Sequence, residues 1–295
     1  MRKVICFIAI LSLLLSMSFS LLSCTGTDTE PELYGEDNQP DENGKINYTI
    51  TVKTEGGMPL KRVNVAIYDT KEDAYKIFTS TDSNGTATVK LKPSADYVAQ
   101  IYDAPDGYVV LDSYSFNLAI ANIRLQSKPI DGNPDASISY SLGSVMHDFN
   151  LQTTDGNTLK LSELLEEYEC ILLNFWFINC PFCIEEFPDL DKVSKEYGDD
   201  AKVIAVNPID SPSATKAYKD TSSLSFDMVS DSSIARAFGF DGYPVTVVVD
   251  RYGVICYVQP RALNEDYFRI ILDAFVGDDY TQKLYTSFSD FLPKQ

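Results

Sequence analysis

Three hydrophobic rhythms follow one another along the 295 residues. An apolar run, Val4 to Leu22, interrupted only by serines, follows Arg2 and Lys3, and gives way from Thr25 to about Gly44 to a stretch almost without apolar residues. From Lys45 to Ser127 apolar positions recur every second residue: Ile46, Tyr48, Ile50 and Val52, then Val63, Val65 and Ile67, then Ala87, Val89 and Leu91. That period belongs to strands with one buried face. Turn signals at Gly56-Gly57, Asp82-Ser83-Asn84-Gly85 and Pro105-Asp106-Gly107 separate the strands, and no long amphipathic helix interrupts them. The spacing predicts a small antiparallel β-sandwich over 45–127. Residues 128–141 turn polar around Pro129, Gly132 and Pro134 and read as a linker. Beyond it, strands are predicted at 170–177, 202–207, 245–250 and 254–258, and helices at 181–197, 213–219, 232–238 and 265–275. Strand-helix alternation closing on a hairpin predicts an α/β layered domain over 142–295.

Composition changes this picture only at the edges. Hydrophobic residues at 44% and aromatics at 12% are those of ordinary globular material, and the length suits two domains. Against 24 basic residues stand 43 acidic ones, a formal charge of -19 that repels phosphate backbones and anionic lipid headgroups. Nucleic acid is therefore excluded as a partner. A single histidine, His147, leaves zinc sites and Ser/His/Asp triads short of imidazole, and it reads as a loop residue ahead of the second domain's first strand.

The charged start and apolar middle of residues 1–23 have the form of a secretory signal. Its end, Leu21-Leu22-Ser23-Cys24, resembles the lipobox of bacterial lipoproteins. The resemblance implies cleavage before Cys24 and lipidation of Cys24, which would hold the protein on the outer side of the bacterial cell membrane. The alternative, an uncleaved anchor helix, leaves the rest of the chain tethered outside as well. Residues 24–44 cannot offset the entropy of ordering and read as a flexible acidic stalk. Of six cysteines, Cys170, Cys180, Cys183 and Cys256 remain for the folded part.

The candidate chemistry sits in Asn174-Phe175-Trp176-Phe177-Ile178-Asn179-Cys180-Pro181-Phe182-Cys183. A buried strand there runs straight into a helix whose first turn holds a CxxC pair. Backbone N–H groups at a helix N-terminus lack intrahelical partners and carry positive potential, which favours thiolate at Cys180. Three-residue spacing puts Cys183 on the same face, within reach of a reversible disulfide. No second CxxC or histidine pair exists to complete a zinc site, so no metal and no cofactor beyond the Cys180–Cys183 disulfide is expected.

In this segment the chain resembles the thioredoxin superfamily, and within it the membrane-tethered TlpA/ResA-like thiol-disulfide oxidoreductases. Further matches, in order, are Gly143 to Phe149, Asp155-Gly156, Leu161-Ser162, Glu186-Phe187-Pro188, Gly242-Tyr243-Pro244 and Asp250-Arg251-Tyr252-Gly253. The resemblance implies a thioredoxin fold over 142–295. It makes Pro244 a cis-proline facing the CxxC, gives Tyr243 backbone groups for an extended substrate, and makes Glu186 an acid that takes the proton when Cys183 attacks. Trp176 is expected beside the site on its substrate-binding side. Asn174 replaces the buried aspartate of thioredoxin itself. Pro188 should kink the helix. Cys170 and Cys256 would lie on strands separated by a third, about 9–10 Å apart, too far for a disulfide.

The implied activity is reduction of disulfides in exported proteins, with cytochrome c maturation as one setting and a membrane thiol-transfer protein as electron donor. A thiol peroxidase is the competing enzyme, since peroxiredoxins share the opening near Gly143 to Phe149. They usually carry a threonine three residues before the reactive cysteine, where this chain has Phe177. A third reading is a binding or adhesion lipoprotein whose sandwich carries the function. Residues 57–69 and 81–87 resemble carboxypeptidase-regulatory-like and Cna-B-like sandwich modules, which implies a spacer or docking role.

Overall fold

The computed structural model describes residues 38–94, 96–109, 114–115, 121–134 and 137–293. The expected signal peptide, Cys24 and the stalk up to residue 37 lie outside the described residues. Among those described, no helix is long and apolar enough to cross a membrane.

The period-two region forms two sheets. The strands are β1 (Ile46–Thr54), β2 (Asn64–Asp69), β3 (Ala74–Ser80), β4 (Thr86–Leu91), β5 (Tyr97–Asp103), β6 (Tyr114–Ser115) and β7 (Ala121–Leu125). One sheet has the order β4-β1-β7 and the other β3-β2-β5-β6. Alternate residues of both, including Ile46, Ile50, Val65, Ile67, Val89 and Ile101, share one apolar cluster. Each fully buried aliphatic side chain there contributes roughly 1.5–3 kcal/mol. The expectation of a purely antiparallel arrangement is corrected at β1, which pairs antiparallel with β4 but parallel with β7. Period-two burial fixes which face is inward and leaves strand direction open. In the Asp82–Gly85 turn, Asp82 Oδ1 accepts from the N–H groups of Asn84 and Thr86, both at 2.9 Å. Gly85 closes it at φ 69°, where a Cβ would run into the Val52 carbonyl.

Residues 142–293 begin with a ribbon, β8 (Asn150–Gln152) and β9 (Thr158–Lys160), that leads into α1 (Leu161–Glu167). Then follow β10 (Cys170–Phe175), α2 (Pro181–Glu196), β11 (Ala201–Asn207), α3 (Pro212–Thr221) and β12 (Asp227–Ser230). The chain closes with α4 (Ser233–Phe238), β13 (Val245–Asp250), β14 (Ile255–Gln259), α5 (Glu265–Asp273) and a 3-10 turn, Phe288–Phe291. The sheet order is β12-β11-β10-β13-β14. β10, β11 and β12 run parallel, and β13 and β14 return antiparallel. This is the thioredoxin arrangement, a central sheet with helices on both sides.

Helices on both faces explain why the strands read as continuous apolar runs. Cys170 and Leu172 of β10 join α2 and α5 in one cluster, while Ile171, Leu173 and Phe175 join α1 and α4 in the other. The helix α2 continues through Pro188 without interruption. β13 separates Cys170 from Cys256, and both are free, buried thiols.

The described residues form one compact unit. The first two sheets meet the thioredoxin region through Thr54, whose hydroxyl donates to Gln282 Oε1. Ser127 Oγ donates to the Tyr252 carbonyl at 2.8 Å. Gly56 lies so close to the Tyr252 ring that a Cβ would come within 2.6 Å of it.

Candidate active site

The site is built where β10 stops. Its last residue, Phe175, is held on both sides, by Val206 of β11 and Val245 of β13. The Trp176 N–H still donates to the Val206 carbonyl, at 3.0 Å, so the strand is spent one residue beyond its end. The chain then turns: Cys180 N–H donates back to the Phe177 carbonyl at 3.1 Å, and Pro181 enters α2 at its first turn, where its missing N–H costs nothing.

Cys180 is the N-cap of α2, with extended backbone angles of φ -92° and ψ 104°. Its Sγ accepts from the Cys183 N–H at 3.2 Å. The same N–H, with the open N-terminal end of the helix, stabilises a thiolate once the pair is reduced. In the structure the two cysteines form a disulfide, with Cα atoms 5.3 Å apart. Cys180 is 3% exposed and Cys183 fully buried, while Phe182 between them is 62% exposed. Attack from outside therefore meets Cys180 first.

Glu186 lies one turn beyond Cys183 on α2 and is 2% exposed. Asn174 Nδ2 donates to its Oε1 at 2.8 Å, and the Leu263 N–H donates to its Oε2 at 2.9 Å. Burial pushes its carboxyl up to about 7, against the pull of these two donors toward the ionised form. A carboxyl that titrates near neutrality can both accept and return a proton. Asn174 also approaches Thr246 Oγ1 at 3.5 Å, and its Oδ1 is buried without a partner.

The Tyr243–Pro244 peptide bond is cis. It immediately precedes β13, whose first residue lies opposite the last residue of β10, and the Tyr243 ring packs edge-on to Phe177 at 5.9 Å. Cys180, Cys183, Glu186, Tyr243 and Pro244 thus gather at one end of the sheet. Trp176 differs from its expected place on the substrate side. It is completely buried, packed on Phe187 at 5.0 Å and Tyr218 at 4.8 Å beneath the strand-helix junction. Its flat apolar bulk is what fills that space. His147 stands apart, half-buried beside the Tyr140 ring, and among the described residues no cluster suited to a metal ion occurs.

Two supports escaped the sequence. Leu263 reaches Glu186 from 77 positions away, which no spacing rule anticipates. Asp210 accepts from the Ile178 N–H at 2.8 Å and from Asn207 Nδ2 at 2.9 Å, pinning the loop before the dithiol to the end of β11. Asn207 closing an apolar strand, followed by Asp210-Ser211-Pro212, was the available signal. The same loop leaves Ile209 62% exposed.

Residues 142–258 match the model of the AhpC/TSA family. The thioredoxin-like protein YneN of Bacillus subtilis (strain 168) is 34% identical over 117 residues, which cover 38% of this chain and 68% of the relative. The thiol-disulfide oxidoreductase ResA of Halalkalibacterium halodurans is 31% identical over 120 residues, 40% of this chain and 67% of the relative. The thiol:disulfide interchange protein DsbE of Haemophilus influenzae is 34% identical over 121 residues, 39% and 64% respectively.

Proposed function

This chain belongs to the TlpA/ResA-like thiol-disulfide oxidoreductases of the thioredoxin superfamily, and on that premise we propose that it works outside the cytoplasm, reducing disulfides of exported proteins through Cys180 and Cys183. The redox group of such enzymes is the cysteine pair itself, with no further cofactor. The observation that carries the reading is the buried Glu186 carboxyl, pushed up to about 7, one helical turn from the Cys180–Cys183 disulfide at the start of α2.

In the proposed mechanism Cys180 thiolate attacks one sulfur of a substrate disulfide, and the other substrate sulfur leaves as a thiolate and takes up a proton. Glu186 then accepts the proton of Cys183, whose thiolate attacks Cys180 Sγ. The second substrate sulfur leaves, the Cys180–Cys183 bond forms, and two electrons have passed to the substrate. The cis Tyr243–Pro244 segment would offer backbone groups to an extended substrate chain, as an added strand would use. Trp176 would hold the strand-helix junction from beneath. The dithiol of a membrane thiol-transfer protein would restore the reduced pair.

The tether would be lipid on Cys24, with residues 24–44 as a stalk and the sheets of 45–127 as a distinct sandwich module between membrane and redox domain. Exported apocytochrome c, whose cysteines must be reduced before haem attachment, belongs to the substrate class. The test is Cys183→Ser in the native host. Reductant-sensitive adducts on Cys180 that vanish with Cys180→Ser support the reading and identify the substrates. A wild-type pair that forms no adducts and reduces no model disulfide overturns it.

The AhpC/TSA match supports one other reading, a thiol peroxidase. Phe177 in place of threonine and a partner cysteine only three residues away weigh against it. Peroxide consumption faster than disulfide reduction, surviving Cys183→Ser, would reverse the order.

A further inference from the structure

The sheet β3-β2-β5 has an outward face that is not of the usual solvated kind. On β2, Val65 and Ile67 point into the shared core, so Asn64, Ala66 and Tyr68 point the other way. The register sets Tyr75 opposite Tyr68, Phe78 opposite Ala66, and Ser80 opposite Asn64. On the other flank Gln100 lies opposite Ala66 and Asp103 opposite Asn64. Tyr75, Phe78 and Tyr102 are 54%, 61% and 54% exposed. Their rings follow one another in contact: Tyr68 to Tyr75 at 5.1 Å, Tyr75 to Phe78 at 5.3 Å, Phe78 to Tyr102 at 5.7 Å.

Polar side chains stand among these rings and are fixed by bonds to one another. Tyr75 Oη donates to Gln100 Oε1 at 2.9 Å, Asn64 Nδ2 donates to Asp103 Oδ2 at 2.8 Å, and Ser80 Oγ donates to Asn64 Oδ1. We propose that this face binds a neutral glycan and that it fixes the enzyme to a polysaccharide surface. Three features choose that ligand. Ring faces carry negative potential and attract the partly positive C–H groups of a pyranose; Tyr75 and Phe78, inclined by 33°, offer neighbouring faces, while Tyr102 stands edge-on to Phe78 at 82°. Amide, carboxylate and hydroxyl groups held in place match vicinal sugar hydroxyls with little ordering left to be done on binding. Charge supplies the third: Asp73 and Asp103 border the rings, the cation of β3, Lys76, is taken up by Glu72 and Asp69, and the chain as a whole carries -19, which turns away phosphorylated, sulfated and uronic polymers.

A second protein would be matched differently. Interface centres enrich methionine and arginine beside aromatics and are depleted of charged side chains. β2, β3 and β5 carry neither methionine nor arginine, and the charged Lys76 and Asp103 stand among the rings. An exposed aromatic cluster without a function is a liability that soluble proteins seldom keep. The inference stands on the sheet face alone and is independent of the redox reading.

The experiment is affinity electrophoresis of the full chain in native gels containing glycogen, dextran, laminarin or xylan, with alginate as the anionic polymer. At least one neutral polysaccharide is expected to retard the protein, and alginate none. Phe78→Ala and Tyr75→Ala should each weaken the retardation about tenfold, with mobility in an empty gel and the thermal unfolding midpoint unchanged. Lack of retardation by every neutral polymer overturns the proposal. So does retardation that both variants keep, or a face that proves to be occupied by a second copy, seen as a wild-type dimer that the two variants dissociate. Binding of denatured casein lost in the same variants would assign the face to polypeptide instead.

Discussion

The sheet of the thioredoxin region carries a buried carboxyl and cysteines at each end, and only one end is built to react. At the upper end Cys180 caps a helix, Cys183 follows three residues on, and Glu186 has two hydrogen-bond donors and titrates near 7. At the lower end Asp250 is completely buried opposite Cys170. It receives Tyr252 and Val254 N–H on Oδ1, at 3.0 and 2.9 Å, and Tyr280 Oη, Gln282 Nε2 and the Cys256 thiol on Oδ2, at 2.9, 2.6 and 3.4 Å. Burial pushes the thiols of Cys170 and Cys256 up, and the nearby acids push them further. A cysteine in mid-strand has no free N–H groups to stabilise its thiolate and behaves as a small apolar side chain. Reactivity follows position at the strand-helix junction; cysteine content and carboxylate proximity alone do not produce it.

The most severe way to break this comparison is at Cys180. Cys180→Ser should abolish reduction of insulin disulfides, read as loss of turbidity, while Cys170→Ala and Cys256→Ala should retain it. Alkylation of the reduced wild type should label Cys180 within the time needed for free thiols, and Cys170 and Cys256 only after denaturation. Rapid labelling of Cys256 in the folded protein would contradict the assignment of the lower end as inert.

Next in size is Asp250→Ala. It leaves donors from the Asp250–Val254 turn and from the Tyr280–Gln282 tail without an acceptor, in a site from which water is excluded. Stability should fall by about 3–5 kcal/mol, read from the midpoint of urea unfolding.

Glu186→Gln sharpens the comparison at the other end, because the amide keeps the size of the carboxyl and removes its titration. Resolution of a mixed disulfide on Cys180 should slow by about a hundredfold, the lower end of what a positioned base contributes. In the wild type that rate should rise through pH 7 as the carboxylate forms, and the rise should disappear in the variant. The linked stability has the opposite course. The folded carboxyl titrates near 7 and the unfolded one near 4.5, so the fold binds the proton more tightly. The contribution is complete below pH 4.5 and is lost as pH rises through 7, by roughly 3 kcal/mol. Glu186→Gln should flatten that slope in urea unfolding across pH 5–8.

What the sequence disclosed follows how local each feature is. Cys180, Cys183 and Glu186 recur every three residues along one helix face, directly after an apolar strand, and were legible for that reason. Asn174 could be assigned to the β10 strand but not to its bond with Glu186, and Leu263 gave no signal, since both depend on the tertiary crossing of α2, β10 and the approach to α5. Within 45–127 the alternating strands β1, β2 and β4 were visible. β3 was not, because Tyr75 and Phe78 point outward where a polar residue would be expected. The parallel pairing of β1 with β7 has no counterpart in a period-two pattern. Strand β10 ends two residues earlier than its apolar run: Trp176 keeps one last bond to Val206, and both Trp176 and Phe177 are apolar because they pack.

The smallest effect concerns the join between the lower end and the first two sheets. Thr54 sits at the end of β1, fully buried, with its hydroxyl donating to Gln282 Oε1 and accepting from the Met58 N–H at 3.0 Å. Gln282 passes the connection on to Asp250 through its Nε2 at 2.6 Å. Thr54→Val keeps the branched shape and removes both bonds, leaving the amide oxygen and the Met58 N–H without their partners at a cost of about 1–2 kcal/mol. Because the Asp250 network lies at the opposite end of the sheet from Cys180, insulin reduction and its pH profile should be unchanged while the unfolding midpoint drops. A shift of the pH profile in Thr54→Val would mean that the first two sheets reach the dithiol through Asp250 and β13, and that the inert end of the sheet is coupled to the reactive one.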